Sequence, residues 1–166
     1  MIIGIDPGCS GAVVILDDNG GYIAHLDTPL IKVGSKNRVN AAAVAAFIRD
    51  TINAQPFHHT SLVHAFIEQV GAMPKQGVAS MFTFGHATGV MEGVIAGAGI
   101  AVTHVTPQAW KKSAGLIGSD KDAARSRAIM LYPLLRELDA IGKGQAIADA
   151  ILIARHGINN KKDTLL

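Results

Sequence analysis

The sequence predicts an α/β domain built on a mixed five-stranded sheet, with three antiparallel strands followed by parallel crossovers and helices on both faces. Three observations point there. Three short apolar runs, Ile2–Asp6, Ala12–Leu16 and 21–26, follow one another at the N-terminus. The last two flank Asp18-Asn19-Gly20-Gly21, where Asn-Gly supplies the positive φ angles of a tight hairpin. Beyond residue 40, helix-patterned and strand-like stretches alternate, as expected of strands returned by crossover helices.

The elements follow in order. Residues 28–38 read as a polar loop carrying Lys32, Lys36 and Arg38. Asn40 is a helix cap, and Val44, Phe47, Ile48 and Ile52 recur at helical spacing until Pro56. Residues 62–70 form the fourth strand, apolar up to Glu68-Gln69. A long helix is predicted over 76–98. Its glycines at 85, 89, 93 and 97 share one face and each costs about 1 kcal/mol relative to alanine. Such a stripe implies the close approach of another backbone, either the sheet or a second subunit. Residues 99–105 form the fifth strand. Thr106-Pro107 opens a short helix to Ser113, since proline is tolerated in a first turn. Ser119-Asp120-Lys121-Asp122 has a capping-box pattern and opens a helix that stops before Pro133. A last helix spans 145–156, with Gly157 as its C-terminal cap and 159–166 as a tail.

The bulk numbers bound the class. A chain of 166 residues with 49% apolar and 17% charged residues makes one core-rich domain, placed at 1–158. The single cysteine, Cys9, forbids an internal disulfide and a cysteine-based zinc site, and fits a reducing cytoplasm. Asp6 interrupts the first apolar run, so no signal peptide is expected. The glycine-rich apolar run 93–105 is too short for a membrane span. The net charge of +2 says little by itself about nucleic acid.

The chemistry gathers on three carboxylates. Asp6 ends a buried strand, a costly place for a charge unless a cation needs it. Glu68 ends the fourth strand, and Asp149 lies in the last helix among Ala146, Ala148 and Ala150. Asp6 and Glu68 become neighbours if their strands pair in parallel, and Asp149 joins them if the last helix packs over the same sheet end. Crowded together they would repel one another. Two divalent ions about 3.5–4 Å apart would relieve that and clamp an in-line phosphoryl displacement. The alternatives are an Asx-turn role for Asp6, a surface role for Glu68 and a structural role for Asp149.

Taken together, Ile3-Gly4-Ile5-Asp6-Pro7-Gly8 with Gly11, Ile67-Glu68-Gln69-Val70, Phe84-Gly85 with Gly89-Val90, Thr106-Pro107 with Trp110-Lys111-Lys112, and Ala148-Asp149-Ala150 with Ile153-Ala154 resemble the RuvC family of Holliday-junction resolvases. The segment 81–112 is most similar to phage-encoded members. The resemblance covers residues 1–158. It implies a ribonuclease H-like fold, a homodimer, four-way branched DNA as partner, and paired nicks made with two Mg²⁺ ions, for which Mn²⁺ can substitute. It implies neither a nucleotide cofactor nor a membrane. Asp6, Glu68 and Asp149 fall on the family's metal-binding carboxylates, and Lys111, Lys112 and Lys121 in its DNA-facing region.

Two positions depart from the family pattern. The family's fourth ligand stands three residues before the last aspartate, where this chain has Ala146. Gly71 stands where some members place an aromatic wedge, and Met73 is the candidate replacement, because apolar side chains insert between base steps. DNA-binding charge clusters between Gln108 and Arg127, where five cations (Lys111, Lys112, Lys121, Arg125 and Arg127) meet two aspartates. Lys32, Lys36 and Lys75 extend this stripe. Such contacts position a duplex without reading its sequence. Trp110 reads as an anchor of its helix to the core. The reading is a junction-resolving endonuclease. The rivals are a junction-binding protein that Ala146 has left deficient in cleavage, a related RNA-processing nuclease, and an ATP-binding fold, for which no second phosphate motif exists.

Overall fold

A computed structural model describes residues 1–56, 63–69, 71, 77–120 and 122–163, with 161–163 described by backbone alone. The strands are β1 (Ile2–Asp6), β2 (Ala12–Leu16), β3 (Tyr22–Asp27), β4 (Leu30–Val33), β5 (Lys36–Val39), β6 (His64–Glu68) and β7 (Ala101–Val105). The helices are α1 (Ala41–Asn53), α2 (Val78–Gly97), α3 (Pro107–Ser113), α4 (Ala123–Leu131) and α5 (Lys143–Asp163), with a 3₁₀ turn at Arg136–Asp139. The main sheet has the order β3-β2-β1-β6-β7. β1, β2 and β3 are antiparallel, while β6 joins β1, and β7 joins β6, in parallel. This is the mixed five-stranded architecture that the sequence predicts.

Alternation along the strands divides the interior in two. Ile2, Val14, Leu16 and Phe66 face a core closed by α3, α4 and α5. Ile3, Ile5, Val13, Ile15, Ala65 and Ile67 face a second core closed by α1 and α2. Side chains one residue apart on a strand point to opposite faces, so continuous apolar runs such as Ile2–Asp6 belong to a sheet covered on both sides. Among the described residues no helix is long and apolar enough to cross a membrane.

The local reading needs four corrections. The stretch 28–38 is not a loop, because β4 and β5 pair there as a separate two-stranded hairpin around Gly34, whose φ is 58°. Leu30, Ile31 and Val33 stay exposed, so main-chain pairing makes this hairpin and there is no buried stripe to read. The helix after residue 119 starts at Ala123, with Asp122 as its cap and no side-chain capping bond. Asp120 accepts from the Asp122 amide at 3.0 Å and turns the chain before the helix begins. The last helix runs through Gly157 to Asp163, so part of the expected tail is helical. Gly157 is there for clearance rather than as a cap, since a Cβ would strike the Phe66 ring. Lastly, the α2 glycines do not press on the sheet. Among the described residues, a Cβ at 85, 89, 93 or 97 would meet nothing within 4 Å.

Candidate active site

One glycine sets the depth of the site. A side chain at Gly4 would collide with the Ala150 carbonyl oxygen and come within 2.7 Å of the Ala154 nitrogen. With hydrogen there instead, α5 lies directly on the backbone of β1. Gly4 and Asp6 share a face of β1, because side chains two apart point the same way. The parallel register pairs Ile5 with Ile67, so Asp6 and Glu68 end adjacent strands. Asp149 immediately precedes Ala150 on the helix pressed against that face. The sheet therefore supplies two carboxylates and the covering helix supplies the third, as the sequence expects.

Electrostatics record their proximity. The Asp6 carboxyl is pushed up to about 8, first by burial, then by the charges of Asp149 and Glu68. Asp149 is pushed up to about 6 by burial, and the Glu68 charge adds to that. The Gln145 hydrogen bond and the Lys111 charge act against it. Both effects have the sign expected of carboxylates sharing a poorly hydrated site. Among the described residues, no three His, Cys, Asp or Glu side chains are arranged to hold a cation as they stand. The three carboxylates are thus neighbours that repel, and are not drawn into a closed cage.

Each carboxylate at the rim has a side chain that orients it. Trp110, 2% exposed, donates its indole Nε1–H to Glu68 Oε1 at 2.8 Å. It anchors α3 to the core, as the sequence reading holds, and it also fixes Glu68. Gln145 Nε2 donates to Asp149 Oδ1 at 2.9 Å from one turn earlier on α5. Neither partnership was read from the sequence. The four-residue spacing of Gln145 and Asp149 on one helix could have revealed the second. The first links residues 42 apart in the chain and needs the fold. A cavity of about 410 Å³ opens beside Asp149 and is lined also by Lys111, Asp120 and Gln145.

The other predicted residues fall as follows. Lys111 lines that cavity, with its Nζ 5.3 Å from the centre of the Trp110 ring. Lys112 is exposed beside it on α3. Arg125 is half-buried and donates to the Leu138 carbonyl at 3.4 Å, so its guanidinium is tied to the 3₁₀ turn. Ala146 is 7% exposed and packs in the core under α5. Lys75, Lys121 and Met73 lie outside the described residues. Lys32 and Lys36 stand exposed on the β4–β5 hairpin. Arg38, from the same hairpin, lies over the Phe82 ring at 5.4 Å. Cys9 is a free thiol.

A family model described as crossover junction endodeoxyribonuclease RuvC matches residues 2–156. The chain belongs to the RuvC family. Two solved structures are similar to it in fold. One is described as T. thermophilus RuvC in complex with Holliday junction substrate, at 18% identity and a TM-score of 0.54, with 97% of this chain and 95% of that chain covered. The other is a Thermus thermophilus RuvC structure, at 16% identity and a TM-score of 0.56, with 98% and 96% covered. Among curated proteins none matches the chain in sequence. The family match spans the five strands of the main sheet and α5 through residue 156, the elements that bring the three carboxylates together.

Proposed function

We propose that this RuvC-family chain is a cytoplasmic Holliday-junction resolvase, a divalent-metal-dependent endonuclease that nicks two strands of a four-way DNA junction as a homodimer. One observation carries the reading. Asp6, Glu68 and Asp149 converge at one sheet end with Asp6 and Asp149 both held above their ordinary range. Buried carboxylates that raise one another's pKa are the donor set a hard divalent cation stabilises. Asp6, Glu68 and Asp149 are the residues that would hold Mg²⁺ or Mn²⁺. Two ions, when bound, supply a more acidic water and charge neutralisation at the phosphate.

The remaining roles belong to the chain. Trp110 and Gln145 each hold one carboxylate by a hydrogen bond, Glu68 and Asp149 respectively, which orients both for the site. Lys111 places a positive charge at the cavity mouth for a backbone phosphate, and Lys112 extends it along α3. In the reaction, water oxygen bonds to phosphorus, one P–O ester bond breaks, and the departing oxygen takes a proton. Support for two copies comes from α2, where no described residue lies within 4 Å of a Cβ built at its glycines and where Val78 and Phe82 are 83% and 64% exposed.

The test is Asp6→Asn. Cleavage of a synthetic four-way junction in Mg²⁺ is expected to fall by about 10³-fold or more, with junction binding retained. Undiminished cutting by that variant sinks the reading. A second reading is favoured by the burial of Ala146 in the core: a junction-binding protein without efficient cleavage. It stands if the unaltered chain binds junctions tightly and cuts them in neither Mg²⁺ nor Mn²⁺.

A further inference from the structure

We infer that Gln145 supplies an oxygen ligand to the metal site through its side-chain amide, standing in for the ligand that Ala146 lacks. This rests on the metal-nuclease reading above and deepens it.

The amide has a defined orientation. Its Nε2 donates to Asp149 Oδ1 at 2.9 Å, and a carboxylate oxygen accepts and does not donate, so the nitrogen end is the one facing Asp149. The oxygen end is then the anomaly. Gln145 Oε1 is sealed from solvent and has no hydrogen-bond donor among the described residues. A buried carbonyl without a partner is costly, and native structures keep such groups for a reason. Gln145 lines the same cavity as Asp149, Lys111 and Asp120. Hard divalent cations accept amide carbonyl oxygen alongside carboxylates. A cation beside Asp149 would satisfy Oε1 while leaving the Nε2 bond intact.

Position 146 cannot take this role. Ala146 carries no donor atom and is packed into the core. Gln145, one turn before Asp149 on the same helix, lines the cavity beside that carboxylate, whereas Ala146 faces the core. An amide oxygen is neutral, so Asp6, Glu68 and Asp149 alone supply negative charge to the site. It therefore holds divalent ions more weakly than a site with a fourth carboxylate, and a carboxylate placed at 145 tightens it.

Manganese binding to the full-length protein, followed by calorimetry and by the EPR signal of free Mn²⁺, tests this without reference to cleavage. Gln145→Glu is expected to raise Mn²⁺ affinity about tenfold, and Gln145→Leu to lower it about tenfold. The sign for Gln145→Glu decides between the inference and its simplest rival. If Gln145 only orients Asp149 through Nε2, the glutamate loses that donor, repels Asp149 and weakens binding. Unchanged or weaker binding by Gln145→Glu overturns the inference. Should Gln145→Leu fail to fold, as judged by circular dichroism in EDTA, the glutamate variant decides alone. Asp6→Asn separates the role of Gln145 from the existence of the metal site. If it abolishes Mn²⁺ binding while Gln145→Glu changes nothing, only the role of Gln145 fails. If Asp6→Asn leaves Mn²⁺ binding untouched, the metal-nuclease reading itself fails.

Discussion

Helices α5 and α2 have nearly the same length, 21 and 20 residues, and both are rich in alanine and glycine, yet they use small residues in opposite ways. In α5, Ala148, Ala150 and Ala154 are fully buried and Gly157 touches the Phe66 ring, so the helix lies directly on β1 and β6. Between residues 146 and 154 almost every side chain is buried, and Asp149 is the polar exception. In α2, Ala87, Thr88, Met91 and Ile95 are buried, and among the described residues nothing lies within 4 Å of a Cβ built at Gly85, Gly89, Gly93 or Gly97, the last two lining an open groove beside α1. Small residues in a helix imply close approach. On α5 the approach happens within the chain and builds the site, whereas on α2 no described residue of the chain makes it.

Alanine at Gly4 breaks the α5 side of this comparison most severely. Its methyl meets a backbone carbonyl that cannot move without lifting α5, so a loss of about 4 kcal/mol or more is expected, read as a collapse of the urea midpoint. A variant as stable as the parent would mean that α5 is not seated on β1.

Next in size is a pH effect in the metal-free protein. Asp6 has a folded pKa of about 8 against 3.8 for an unperturbed aspartate, and Asp149 about 6. The folded state therefore keeps protons that the unfolded state has released. Between pH 4 and 8 unfolding liberates those protons, so stability in EDTA falls as pH rises through that window and levels off above it. Asp6→Asn should flatten the part between pH 6 and 8. Denaturation midpoints that rise from pH 6 to 8 in EDTA would contradict this.

Gly157→Ala is milder, because the obstacle is a ring that can rotate. The clash costs about 1–3 kcal/mol, offset by up to about 1 kcal/mol of helix propensity, for a net loss of about 1 kcal/mol. Gly89→Ala is the smallest and has the opposite sign. With nothing within 4 Å, the propensity gain of up to about 1 kcal/mol should appear in dilute protein. If α2 meets a second copy, that gain shrinks or reverses at high protein concentration. Thermal midpoints measured across a hundredfold dilution would show it.

Much of this was legible in the residues. The order of the five sheet strands along the chain, the Asn40 cap and the α3 start at Thr106-Pro107 follow from local chemistry: turn residues, caps and alternation. So does the identity of the three carboxylates, because a charge ending a buried strand or sitting in an apolar helix stands out against its neighbours. The β4–β5 hairpin was not legible, since its strands bury no stripe and burial is what writes a pattern into sequence. The run of α5 past Gly157 was missed for a related reason. Glycine at a helix cap and glycine under an aromatic ring look identical in one dimension.

By itself, then, the sequence determined which residues are candidates for chemistry and which secondary structure carries them, because those depend on neighbours a few positions away. Only the tertiary structure decided how they act together. The contact of Gly4 with Ala150 sets how closely α5 approaches the sheet, and that approach places Asp149 beside Asp6 and Glu68. It also decided that Trp110 holds Glu68, that Gln145 keeps an oxygen without a partner among the described residues, and that no described residue closes on the glycines of α2. Most of these are matters of burial and contact between elements far apart in the chain, which no local pattern encodes.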